Sequence, residues 1–275
     1  MAFFTTSDNK RIYYEDNGTG AQVLCLAGLT RNGRDFSFLA PHMADYRMIT
    51  MDYRGRGRSD HDPNHANYNI QREALDAIEL LDHLALDRVV ILGTSRGGLI
   101  AMALAISHRH RLAGVILNDV GPVIEPAGIA KIMEYVGKPP VSRTLDQAAR
   151  QLKQAMDPHF PGVPLSIWRR QAEFQYEDQG GHLSLRYDPA LRTALIEQAA
   201  AGVVPDLWPL FEALRDLPVG VIRGANSDIL VRETLTQMQT RHPGLIVAEV
   251  PDRGHVPFLD EPPSLTVIRK VLDAA

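Results

Sequence analysis

The chain has 275 residues, 45% hydrophobic and 7% aromatic, enough for one large core carrying an insertion or for two small domains. Its formal net charge is −4 and no basic block stands out, which argues against a nucleic-acid partner. Cys25 is the single cysteine, so there is no disulfide framework and no cysteine-based zinc site.

The N-terminal stretch lacks a basic start followed by an apolar run, so no signal peptide is expected. No apolar run approaches the ~20 residues needed to span a membrane. The expectation is a cytoplasmic protein with a small-molecule substrate and no membrane partner. Nothing in the sequence sets an oligomeric state.

In chain order, Phe3–Thr6 and Arg11–Asp16 flank the turn formers Ser7, Asp8 and Asn9 and read as a hairpin. Gln22–Leu26 is the next strand, and it runs into Ala27-Gly28-Leu29. A short helix is expected over Phe36–Met43. Strand Tyr46–Met51 leads into Asp52–Ser59, a loop dense in glycine and charge. That loop lacks the Gly-Lys-Ser/Thr ending of a phosphate cradle and reads as a brace for the strand before Gly28. From Ile70, apolar residues at Ala74, Ala77, Ile78, Leu81 and Leu84 mark one face of a helix.

Val89–Leu92 is a buried strand, and Leu99–Ile106 is apolar all round and reads as a buried helix. His108–Arg111 closes that helix, where positive charge suits the carbonyl end. Leu112–Leu117 is a further strand, and the alternation implies parallel βαβ units. From Val123 to Gly202 no convincing strand is seen. Thr144-Leu145-Asp146-Gln147 is a capping box for a helix to about Met156, and Ser166–Tyr176 and Pro189–Ala200 read as helices. Alternation then resumes with helix Leu207–Leu214, strand Val219–Arg223, helix Arg232–Arg241, strand Leu245–Val250 and helix Pro263–Ala274. The organisation is a core over 1–122 and 203–275, with a helical insertion at 123–202.

Between the buried strand and its helix stands Gly93-Thr94-Ser95-Arg96-Gly97. A strand turning straight into a helix around Gly-x-Ser-x-Gly is the nucleophile elbow. A serine hydroxyl is a poor nucleophile near neutral pH and needs a base, which in turn needs an orienting carboxylate. His255 follows the last strand, at the same sheet end as Ser95. Two acids are candidates: Asp228, after Val219–Arg223, is preferred because it gives the order Ser, Asp, His, and Asp119, after Leu112–Leu117, is the alternative. Oxyanion donors are backbone N–H groups, here those of Arg96 and Leu29. The Arg96 side chain has two readings, meeting an anionic substrate in the cleft or pairing with a local carboxylate, and the second is preferred. No metal site is expected. His108 and His110 point to different sides of a helix, and Pro63 and Asn64 break the helical spacing of His61 and His65.

These motifs together resemble the α/β-hydrolase superfamily, in its serine branch with a helical cap. The resemblance implies an eight-stranded, mostly parallel sheet and an acyl-enzyme mechanism without a cofactor. It implies a Ser95–Asp228–His255 triad, with Leu29 and Arg96 at the oxyanion. The chain departs from the family pattern in Ala27-Gly28, where His-Gly is frequent. It departs again in Asp228, one residue later than Gly-x-x-Asp would place the acid, which keeps Asp119 in play. The implied substrate is an ester or lactone of a small, partly apolar carbonyl compound, held under the cap. The alternatives are a carbon–carbon bond hydrolase of a ring-fission diketone, with Arg169 or Arg170 beside Trp168 holding a carboxylate, and a non-catalytic ligand receptor.

Overall fold

A computed structural model describes residues 2–200 and 206–275; the expected junction at 202/203 lies outside the described residues. Its strands are β1 (Ala2–Thr5), β2 (Arg11–Asn17), β3 (Ala21–Leu26), β4 (Tyr46–Met51), β5 (Val89–Thr94), β6 (Leu112–Asn118), β7 (Tyr176–Asp178), β8 (Leu183–Leu185), β9 (Val219–Gly224) and β10 (Ile246–Val250). Its α-helices are α1 (Ile70–His83), α2 (Arg96–Ser107), α3 (Pro126–Tyr135), α4 (Leu145–Met156), α5 (Leu165–Gln175), α6 (Leu191–Ala200), α7 (Trp208–Glu212), α8 (Arg232–Arg241) and α9 (Pro262–Ala274).

Eight strands form one sheet in the order β1-β2-β4-β3-β5-β6-β9-β10. Pairs β1/β2 and β2/β4 are antiparallel, and the rest are parallel. Parallel strands are covered on both faces, and β5 accordingly has every residue buried. Apolar cores lie on either side: α1, α2 and α7 pack one face with Leu80, Ile100 and Phe211, while α9 packs the other with Val267 and Val271. Among the described residues, no helix is long and apolar enough to cross a membrane.

Local chemistry sets the helix starts. Asn69 caps α1 by accepting the Arg72 N–H at 2.8 Å, and Thr144 caps α4 by accepting the Gln147 N–H at 3.3 Å. Phe36–Met43 is not one helix but two 3₁₀ turns, Gly33–Ser37 and Ala40–His42. Asn32 caps the first, and Pro41, which has no N–H to donate, opens the second. Helix α2 ends at Ser107, so His108–Arg111 does not continue it; Arg109–Arg111 is a separate 3₁₀ turn.

The inserted segment is not purely helical. After α3, α4 and α5, the antiparallel pair β7/β8 forms a small hairpin before α6. It has its own apolar packing, with Trp168, Phe160 and Leu183 in one cluster and Tyr187, Leu191 and Val136 in another. It is pinned to loops at the carboxyl edge of the sheet. Asn32 Nδ2 donates to Phe174 O at 2.8 Å, Gly57 N–H to Arg186 O at 2.7 Å and Asp188 N–H to Gly55 O at 2.8 Å.

Candidate active site

Strand order reverses between β3 and β5: the chain proceeds outward to β4 on one side and to β6 on the other. A crevice beyond the carboxyl ends of the strands opens at such a switch point, and residues there reach a ligand without disturbing the sheet. Leu29 follows β3, Ser95 follows β5, Asp119 follows β6, and His255 follows β10.

Ser95 is forced into a rare backbone conformation, φ 51° and ψ −111°, a strain of about 1–3 kcal/mol that the surrounding packing must hold. The spelling around it is steric. A Cβ on Gly93 would meet the Gly97 carbonyl carbon at 2.4 Å, and one on Gly97 would meet the Leu26 carbonyl oxygen at 2.1 Å. Helix α2 starts at Arg96, so its unpaired N-terminal amides and dipole favour negative charge beside Ser95.

His255 Nε2 lies 2.9 Å from Ser95 Oγ, and His255 Nδ1 lies 2.8 Å from Asp119 Oδ2. A carboxylate only accepts, so Nδ1 carries the proton and Nε2 is left to accept from Ser95. Asp119 is fully buried, at φ 58°. Its Oδ1 also accepts the Gly224 N–H at 2.8 Å, and its Oδ2 accepts Ser227 Oγ–H at 2.6 Å. The His255 loop is tied down by Glu261, which accepts from the N–H groups of Phe258 and Leu259 at 3.0 and 2.9 Å.

The preference for Asp228 is therefore corrected. Asp228 is paired with Lys131 Nζ at 2.6 Å, and its side chain is 30% exposed. Burial raises its carboxyl, but the Lys131 ammonium outweighs this and holds it below the usual range. The Gly-x-x position where the family pattern expects an acid is Ser227, and here it donates to Asp119 instead. The one-residue offset of Asp228 was the signal in the sequence that pointed to Asp119.

Leu29 and Arg96, the expected oxyanion residues, are held by one buried ion cluster. The Arg96 side chain does not enter the crevice as a free cation: its Nε meets Glu73 Oε2 at 2.5 Å. Glu73 Oε1 also accepts from Arg56 Nη1 at 2.7 Å, and Arg56 Nε donates to Leu29 O at 2.9 Å. Burial raises the Glu73 carboxyl, but the two arginines outweigh it and keep it below its usual range. Tyr53 Oη donates to Ala27 O at 3.1 Å, so the Asp52–Ser59 loop contacts the loop after β3 at two points. Glu73 was not singled out in the sequence, whereas Arg56 lies in the loop read there as a brace.

Arg169 and Arg170 are engaged elsewhere. Arg169 pairs with Asp146 and Glu173, and Arg170 stacks over Phe38 with 4.4 Å to the ring centroid. Two surface cavities, of about 380 and 220 Å³, are lined by other residues than the Ser95 group.

The Alpha/beta hydrolase family model matches residues 23–267. A 3-hydroxybutyrate-oligomer hydrolase from Cupriavidus necator is 35% identical over 94% of this chain and 91% of its own length. A 2-(acetamidomethylene)succinate hydrolase from Mesorhizobium japonicum is 26% identical over 87% of this chain and 83% of its own. The crystal structure of an alpha/beta hydrolase from Novosphingobium aromaticivorans is 36% identical, superposes with a TM-score of 0.92, and covers 100% of this chain and 98% of that one.

Proposed function

The chain belongs to the Alpha/beta hydrolase family, and within it we propose a serine hydrolase that cleaves a carboxylic ester through an acyl-enzyme. One observation carries this reading: the Ser95–His255–Asp119 chain of hydrogen bonds, 2.9 and 2.8 Å long, on a strained elbow at the sheet's switch point.

Ser95 Oγ attacks the ester carbonyl carbon while His255 Nε2 takes its proton. Asp119, accepting from Nδ1, stabilises the imidazolium that forms. The carbonyl electron pair moves onto oxygen, where the Arg96 and Leu29 N–H groups receive it. Each such donor is worth roughly 10²–10³ in rate. Collapse breaks the bond to the alcohol, which leaves with the proton from His255. Water, deprotonated by the same histidine, then releases the acid and restores Ser95.

We read the inserted segment, 123–202, as a cap over this crevice. Its support is the docking already described, together with the Lys131–Asp228 pair and the contact of His159 Nδ1 with Asn226 O at 3.2 Å. The Cupriavidus relative is named for oligomers of 3-hydroxybutyrate. Such units joined head to tail are linked by esters, so short oligomers of a hydroxy acid are the substrate class to try first.

The test is labelling by a fluorophosphonate probe, with p-nitrophenyl esters of rising chain length and 3-hydroxybutyrate dimer as substrates. Labelling and turnover lost in Ser95→Ala and in His255→Ala are the expected result. Ligand binding without labelling or turnover in a folded protein would make it a receptor on this fold instead.

A further inference from the structure

We propose that Arg31, with Tyr135 and Tyr176, forms a subsite for a carboxylate on the substrate, beside Ser95. The subsite rests on the hydrolase reading above and specifies which esters that site takes.

Arg31 N–H donates to Gly28 O at 3.1 Å, which closes a tight turn in the loop after β3. Its side chain folds back over Gly28. The point where a Gly28 Cβ would stand is 3.3 Å from Arg31 Cγ and 4.0 Å from Ser95 Cβ, so the two side chains both border Gly28.

The guanidinium is held from one edge. Asp35 accepts from Nε at 2.7 Å and from Nη2 at 2.6 Å, and Gln171 Oε1 accepts from Nη2 as well. Among the described residues, Nη1 has no protein partner, and the side chain remains 18% exposed. With Nε and both Nη2 hydrogens engaged, the two hydrogens on Nη1 are the donors left to receive a further acceptor.

Two phenols, Tyr135 on α3 and Tyr176 on β7, lie within range of the Arg31 charge. Neither hydroxyl has a hydrogen-bond partner among the described residues. Tyr135 is 53% exposed, yet surrounding protein desolvates its phenol and raises its pKa. Burial raises the Tyr176 phenol too, so both stay protonated and able to donate. Asp35 already balances the Arg31 charge, so the directed donors, rather than bare attraction, select the ligand. A carboxylate accepts from an arginine N–H more strongly than a neutral amide or methyl ester does.

The simpler role for Arg31 is a tether between the oxyanion loop and α5. That role uses Nε and Nη2 and leaves Nη1 idle, so the two can be separated by experiment. Two matched pairs of probes serve: monoethyl succinate against ethyl N-methylsuccinamate, and O-acetylglycolate against O-acetylglycolamide, followed by pH-stat. They place the carboxylate on the acyl side and on the alcohol side in turn. Wild type should prefer the charged member of one pair in kcat/KM. Arg31→Gln should lower that preference ratio roughly 10- to 100-fold, chiefly through KM, the scale of one or two charge-assisted hydrogen bonds. Tyr135→Phe/Tyr176→Phe should lower the same ratio, and carries the test should Arg31→Gln not fold.

No preference in wild type, or a fall of both pair members together with an unchanged ratio, overturns the subsite. Fluorophosphonate labelling of the same preparations tells the failures apart. A labelled Ser95 without charge preference removes the subsite alone, whereas an unlabelled wild type removes the hydrolase reading and the subsite with it.

Discussion

Asp119→Asn is the sharpest perturbation of the site. Asp119 accepts three hydrogen bonds: from His255 Nδ1 and Ser227 Oγ on Oδ2, and from Gly224 N–H on Oδ1. An asparagine can accept at one atom only. With its oxygen toward Gly224, the NH₂ faces His255 and forces the proton onto Nε2, where the ring can no longer accept from Ser95. Turned over, the NH₂ opposes the Gly224 N–H and leaves two buried donors facing one another. The first arrangement satisfies the backbone, so the wrong tautomer should dominate. The expected loss is on the order of 10³–10⁴ in kcat, about 4–5.5 kcal/mol of transition-state stabilisation, as for other orienting aspartates. KM and the folded state should change little by comparison, because the side-chain volume is kept. Asp228→Asn is the control. Its partner, Lys131, is 55% exposed, and an exposed pair contributes little, so kcat should move by less than about threefold. The assay is steady-state hydrolysis of p-nitrophenyl acetate with the rate of fluorophosphonate labelling alongside. An Asp119→Asn enzyme within tenfold of wild type, paired with collapse in Asp228→Asn, would refute the argument.

Glu73→Gln leaves Arg56 and Arg96 buried without their shared carboxylate, and should cost about 3–5 kcal/mol in guanidinium unfolding. A loss under 1 kcal/mol would show that the cluster is not held by charge. Asp8 supplies a pH signature. Hydrogen bonds from Arg54 Nη1 and Nη2, at 2.8 and 3.1 Å, hold its carboxyl well below the usual 3.8. A depressed folded pKa stabilises above the unfolded value and is lost as pH falls toward the folded one. The gap in melting temperature between wild type and Asp8→Asn should therefore be full at pH 6 and shrink below 3.8. A gap that widens as acid is added would contradict the pairing.

What could be read from the sequence was what is local. The elbow carries its own explanation, since the glycines at 93 and 97 are demanded by atoms within the same strand–turn–helix unit and by the adjacent β3. The strands of the central sheet announce themselves because burial on both faces leaves unbroken apolar runs. Elements whose stability is borrowed from elsewhere did not. Strands β7 and β8 have three residues each and only Leu183 is buried, too short for any alternation to register. Their hairpin leads into Tyr187, which bridges to Arg56 of the charged loop. Arg54 and Arg56 of that loop are both fully buried, because α1 presents Asp76 and Glu73 to them from its inner face. Helix periodicity marked that face by its apolar residues and passed over the acids between them.

The choice between Asp119 and Asp228 shows why order along the chain is weaker than position in the sheet. Strands β6 and β9 are parallel neighbours, with Asn118 in register with Ile222. Neighbouring strands lie roughly 4.8 Å apart, less than the reach of an aspartate and an imidazole together. A carboxylate leaving either strand can therefore meet a histidine delivered by β10, and both give the sequence Ser, Asp, His. What decides is the supply of donors. Asp119 takes φ 58°, which turns its carboxylate across to the end of β9 and the loop after it, where Gly224 and Ser227 offer an N–H and an O–H. Asp228 lies past that loop's turn, closed by Ser227 N–H to Gly224 O at 2.9 Å, and points toward Lys131 instead. Returning the acid to the β9 loop would need two changes together, a carboxylate at 227 and its removal at 119. Ser227→Asp alone would set two carboxylates against each other around one histidine, and like charges so close cannot both stay ionised.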